Sequence, residues 1–167
     1  MSILNLTTKK KKSYNSDFDF DNRMFFSQNA SEIRQFYISS WKKHQQKEEL
    51  SSLEQQICHV IETHPQYQSW LKQEYSDTQF HPNEYAENPF LHMGLHLALQ
   101  EQIQTNRPLG IKEIYFSMIK QNTQLSVHDI EHQLMEILGH ILWQAQKNKM
   151  SPDEMAYLSA CRKLLDN

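Results

Sequence analysis

The sequence predicts an all-α fold, a single compact bundle of six or seven helices with a central buried helix. Residues typical of helix N-termini recur along the chain, each followed by apolar residues at spacings of three and four. No run alternates apolar and polar residues as a strand would. With 167 residues, 38% of them hydrophobic, and a mean hydropathy of -0.74, the chain has the size of one soluble domain.

Three helices are predicted in the first half of the chain. Asn29 caps the first and Ser51 caps the second, each with a glutamate three residues later. Pro65 ends the second helix and starts a short third one. Residues 74–88 lose the helical periodicity, so we expect the longest loop there.

The predicted central helix covers residues 89–104. Asn88 caps it, Pro89 occupies its first turn, and apolar residues leave it almost no polar face. Such a helix belongs in the middle of a bundle. After a break at residues 107–110, the remaining helices are predicted over residues 111–121, 127–148 and 152–165.

A change in composition divides the chain near residue 24. We expect residues 1–23 to form a mobile basic and acidic N-terminal extension, and residues 24–167 to form the helical domain. The extension contains a lysine run, Lys9, Lys10, Lys11 and Lys12. Because the net charge of the whole chain is -3, this run is the feature that would contact RNA or an acidic protein partner.

Several function classes are excluded by what the sequence lacks. Cys58 and Cys161 are isolated, which excludes a cysteine-based zinc or redox motif. The glycines are too far apart to build a phosphate-binding loop. Neither a leader-like apolar region nor a membrane-length apolar segment is present, so we expect a cytoplasmic protein without a membrane partner.

Two pairs of polar residues on predicted helices form a candidate metal site. His92 and His96 lie four residues apart in the central helix, and His132 and Glu136 have the same spacing in the 127–148 helix. Imidazole nitrogens and a carboxylate oxygen are ligands that zinc, iron, manganese or nickel accepts. We therefore predict that these four residues bind a divalent transition-metal ion between the two helices.

Glu136 and His128 are the predicted catalytic residues. A ligated Glu136 would complete a set of three nitrogens and one oxygen, whereas an unligated Glu136 would act as the general base. His128, Asp129 and His140 are candidates for orienting the ligands, carrying protons or holding a second metal ion. The other histidines are interpreted as surface or helix-end residues, or as part of a loop that could cover the site: His44, His59, His64 and His81.

A structural role for the histidines is the competing interpretation. In it, His92 and His96 hydrogen-bond Glu136 or a backbone carbonyl and form a buried polar network without metal. One candidate function is thus a metal-dependent hydrolase or oxidoreductase. The other is a non-enzymatic adaptor or RNA- or ribosome-associated protein that uses the basic N-terminal tail. The sequence leaves open whether the protein is an enzyme.

The block Asn-Pro-Phe-Leu-His-Met-Gly-Leu-His at residues 88–96 carries a family resemblance. With residues 24–28, 36–37, 41–44, 132–136 and 142–146, it resembles a family of small bacterial, mostly proteobacterial, proteins classed only as a domain of unknown function. The likeness covers about residues 24–164, and the N-terminal extension departs from it. The resemblance implies a bacterial cytoplasmic protein, in which the four predicted ligands match recurring polar positions of the family.

Overall fold

The predicted all-α fold is confirmed by a computed structural model, which describes residues 30–76 and 88–166. The described residues form six α-helices and three short 3-10 helices, with no strand among them. The α-helices are α1 (Ala30–Gln45), α2 (Ser52–Thr63), α3 (Pro89–Thr105), α4 (Ile111–Gln121), α5 (Val127–Asn148) and α6 (Glu154–Lys163). The 3-10 helices are Pro65–Trp70, Gln73–Tyr75 and Leu164–Asp166.

Side-chain caps fix the helix starts that the sequence predicts. The Ser51 hydroxyl accepts a hydrogen bond from the Glu54 backbone N–H, while the Glu54 carboxylate accepts one from the Ser51 N–H at 2.8 Å. The Asn88 side chain accepts two backbone N–H bonds at the start of α3, each 3.1 Å long. These caps satisfy N–H groups that have no partner inside the helix.

The start of the last helix differs from the prediction. We expected this helix to begin at residue 152, but α6 begins at Glu154. The reason is Asp153, whose carboxylate accepts the Ala156 N–H at 2.9 Å and so acts as the N-cap.

Two groups of buried side chains hold the bundle together, and α3 contributes to both, which places it at the centre. The N-terminal core joins α1, α2 and the first turns of α3 through Tyr37, Ile57, Val60, Ile61, Leu71, Phe90 and Met93. The C-terminal core joins the rest of α3 to α4, α5 and α6, and includes Leu95, Leu99, Ile114, Met118, Leu134, Leu138 and Tyr157.

Some predicted features fall outside the residues described above. They include the N-terminal extension with Lys9, Lys10, Lys11 and Lys12, as well as His81. Among the helices of the described ranges, none combines the length and the apolar character needed to cross a membrane.

Candidate metal centre

Histidines from three parts of the chain converge where α2, α3 and α5 meet. His64, His96, His128 and His132 each offer one ring nitrogen, and these nitrogens all lie within 4.8 Å of one another. We call these four residues the histidine group. His64 directly follows α2, His96 lies in α3, and the other two lie in the first two turns of α5. The group is therefore assembled only when the chain folds.

His64 is the most deeply buried member, with 0% of its surface exposed. Its Nδ1 lies 2.7 Å from the Val60 carbonyl oxygen. A carbonyl can only accept, so Nδ1 carries the proton and Nε2 presents its lone pair. Burial lowers the pKa of His64 to about 4, which keeps the ring neutral at pH 7. A neutral imidazole with a free Nε2 lone pair is the form that binds metals.

His96 is held in the same way, by a carboxylate instead of a carbonyl. It is 2% exposed, and its Nδ1 lies 3.2 Å from Oε2 of Glu131. Burial raises the pKa of Glu131, but its hydrogen bond with His96 and the other polar contacts outweigh burial and lower that pKa below its usual value. The ionised carboxylate accepts from His96 Nδ1, so His96 Nε2 is the nitrogen that faces the other histidines. A carboxylate behind a histidine is typical of metal-ligating imidazoles.

His128 and His132 complete the group from the solvent side, and both are half-buried. Nε2 of His132 lies 3.1 Å from Nε2 of His96. Two imidazole nitrogens bound to one tetrahedral ion are about 3.3–3.4 Å apart, close to this distance. The distance also suits an N–H···N hydrogen bond. This distance therefore fits a metal site and a polar network alike.

The structure brings most of the predicted site residues together. His96 and His132 belong to the histidine group, and so does His128, which we predicted as a catalytic or ligand-orienting residue. His92 adjoins the group, with its Nε2 3.1 Å from Nε2 of His64. Burial lowers the pKa of His92 to about 3, so this ring is also neutral.

Glu136 differs from the other predicted ligands, because it is exposed and lies outside the histidine group. Every four residues advance a helix by about 40°, so the face that carries His128 and His132 turns toward solvent by position 136. We therefore no longer assign Glu136 as a ligand or general base. The carboxylate that contacts the group is Glu131, on the inner side of the same helix.

Two further predicted residues have their hydrogen-bond partners outside the group. Asp129 is exposed and accepts the Ser126 N–H at 3.0 Å as part of the α5 cap. His140 is exposed, and its Nε2 lies 2.9 Å from the Gln144 side-chain nitrogen. Neither contact orients a member of the histidine group.

His64 is the member that sequence reasoning missed, since it was interpreted as a surface or helix-end residue. The sequence does contain a signal that His64 is buried. His64 continues the apolar stripe of Ile57, Val60 and Ile61 at spacings of three and four, and the structure buries all four residues. A polar residue on a buried stripe needs partners, and here they are Val60 and the other histidines.

Comparison with known proteins gives a family and no activity. Residues 29–163 match the family described as a domain of unknown function (DUF1841), which confirms the resemblance to such a domain. No curated protein and no solved structure matches this chain. The matched range contains every member of the histidine group.

Proposed function

Because the chain belongs to the DUF1841 family, whose description assigns no activity, we propose a function from the histidine group itself. The domain binds a divalent transition-metal ion and acts with it as a metal-dependent hydrolase or oxidoreductase. One observation carries this proposal: four imidazole nitrogens from three parts of the chain lie within 4.8 Å of one another in a largely buried place.

The ligand type narrows the choice of metal. All donors of the histidine group are imidazole nitrogens, which suit zinc, iron, copper and nickel. Manganese prefers oxygen ligands, and the carboxylate we expected from Glu136 lies outside the group. Of the ions expected from the sequence, zinc, iron and nickel therefore remain, and copper is a further candidate. Zinc would support hydrolysis by activating water, whereas iron or copper would support redox chemistry.

The hydrogen bonds behind the ligands support the same proposal. Val60 and Glu131 hold the Nδ1 atoms of His64 and His96, so the Nε2 atoms are already directed at the site. Burial keeps His64 neutral, and burial together with the nearby His128 lowers the pKa of His132. The His64 and His96 rings are therefore oriented before a metal binds, and a neutral His64 has no proton to release near pH 7.

Elemental analysis of tag-free protein purified without chelator tests the proposal. We expect near-stoichiometric zinc, iron, copper or nickel in the wild-type protein. In His96→Ala we expect this metal to be lost, together with the stability that it provides. His140→Ala is the matched control, since His140 is an exposed histidine on α5, and it should retain the metal.

The competing outcomes are distinct. A polar network without metal predicts that His96→Ala loses stability while neither protein contains metal. Wild-type protein that stays metal-free after incubation with zinc, iron(II) and copper(II) would overturn the proposal. In that case the adaptor or RNA-associated role becomes the next hypothesis, and deletion of residues 1–23 with a salt titration of RNA binding tests it.

A further inference from the structure

His92 stands beside the histidine group without belonging to it. Its Nε2 lies 3.1 Å from Nε2 of His64, and its ring centroid lies 4.9 Å from that of His132. Unlike His64 and His96, His92 is only half-buried. Tyr67 covers this side, with its ring parallel to His64 within 7° and 5.3 Å from the His92 ring. The His92 side is therefore a polar edge of the site, bounded by one aromatic ring.

Hydrogen bonding indicates which His92 atom faces the group. The Val60 carbonyl takes the Nδ1 proton of His64, so His64 Nε2 can only accept. The nitrogen of His92 that lies 3.1 Å away must then carry a proton and donate. An ion bound to His64 Nε2 would take the lone pair that accepts this hydrogen bond, and the His92 N–H would then need another acceptor beside the ion. His92 is thus suited to contact something bound to the metal.

The charge of the site indicates what that partner would be. Imidazoles bind a metal ion in their neutral form, so four of them would leave the charge of a divalent ion unchanged. Glu131, which contacts His96, supplies one negative charge. Asp129 is exposed and held by Ser126, so solvent screens its charge. One positive charge would remain uncompensated among buried side chains, which costs free energy. A bound monoanion removes this cost.

We propose that the metal centre takes a small monoanion on its His92 side and that the His92 imidazole donates its Nε2–H to this anion. The ligand class is that of hydroxide and azide. This inference rests on the proposed metal site, in which His64, His96, His128 and His132 hold the ion. His92, predicted from the sequence as a metal ligand, becomes instead the residue that binds the exogenous ligand.

Azide binding to the cobalt(II)-loaded full-length protein tests this assignment. Cobalt content is measured first by elemental analysis, and azide is then titrated while the visible absorption of cobalt is recorded. We expect the wild-type spectrum to change with azide in a saturable way. His92→Phe should keep its cobalt but bind azide at least about tenfold more weakly, because it lacks the N–H donor. His92→Gln restores an N–H donor and should recover part of the affinity.

His140→Ala serves as the control and should behave as wild type, because this exposed histidine contacts Gln144. Loss of cobalt from a folded His92→Phe or His92→Gln protein would make His92 a ligand and overturn the inference. Equal azide affinity in the wild type and both variants would also overturn the inference. So would a cobalt-loaded wild type whose absorption spectrum does not change with azide. A wild type that binds no metal at all would instead refute the proposed function, and the inference with it.

Discussion

Glu131 and His96 meet across the interface of α3 and α5, with Oε2 of Glu131 3.2 Å from Nδ1 of His96. They are 35 positions apart in the sequence. The Tyr115 hydroxyl lies 3.4 Å from the other carboxylate oxygen, so residues from three helices meet at Glu131. The contact between Glu131 and His96 Nδ1 leaves Nε2 as the nitrogen of His96 that faces the histidine group.

Removing the charge of Glu131 should weaken metal binding without removing a ligand. In Glu131→Gln we expect the metal Kd to rise about 10- to 100-fold, because the amide orients His96 less firmly and makes it less basic. Competition titration with a chromophoric chelator measures the change. Glu136→Gln on the same helix is the control and should leave the Kd unchanged. An effect of Glu136→Gln as large as that of Glu131→Gln would contradict our placement of the carboxylate.

Metal should stabilise the folded protein. An ion that binds only the folded state raises the free energy of unfolding by about 2.7 kcal/mol at a free concentration one hundred times the Kd. Urea unfolding of chelator-treated protein, with and without added zinc, measures this change. The increase should disappear in His64→Ala and persist in His59→Ala, an exposed histidine of α2. Equal stabilisation of both variants would place the bound ion elsewhere.

Chelator-treated protein should lose stability as the pH falls below about 6.5. Burial lowers the pKa of His64 to about 4 and of His92 to about 3, from an ordinary value of 6.5. Between these values the unfolded chain binds more protons than the folded one, so the free energy of unfolding rises with pH. The contribution is complete above pH 6.5 and is lost as the pH falls through the folded-state values.

Urea unfolding across this pH window measures the effect. Each such histidine contributes a slope of about 1.4 kcal/mol per pH unit. His92→Gln should therefore flatten the profile, whereas the exposed-site variant His59→Ala should keep the slope of the wild type. A His92→Gln profile as steep as that of the wild type would show that folding does not hold the His92 ring in its neutral form.

A buried hydrogen bond away from the histidine group gives a separate test of the fold. The Tyr157 hydroxyl of α6 donates to the Gln102 side-chain oxygen of α3 at 2.9 Å. Tyr157→Phe leaves that buried oxygen without this donor and should lower the free energy of unfolding by about 1–3 kcal/mol. Metal content should not change, because α6 contributes no member of the group. Metal loss in a folded Tyr157→Phe protein would contradict this separation.

The helices could be read from the sequence because their signals are local. Ser51, Asn88 and Ser126 are caps whose partners lie two or three residues away. Three of the four members of the histidine group were predictable for the same reason. The spacing of four between His92 and His96 and between His128 and His132 places each pair on one face of its helix.

The rest of the site depends on contacts between helices, which local spacing does not encode. Glu131 and Glu136 are both glutamates of α5, and only the packing of α3 against α5 turns the first inward and leaves the second exposed. His64 was missed because a position next to Pro65 also fits a surface helix end. His64 is buried only if the apolar stripe of α2 continues one residue past the end of the helix, and in the structure it does.

The histidine group lies at the boundary between the two cores. His64 ends the helix that packs into the N-terminal core, whereas His128 and His132 belong to a helix of the C-terminal core. An ion shared by these residues would act as a reversible cross-link between the two halves of the bundle. Separation of α1 and α2 from the rest would then require breaking metal–nitrogen bonds as well as apolar contacts. Metal loading would thus decide whether the bundle opens in two steps or as one cooperative unit, and amide hydrogen exchange in α2 would report the difference.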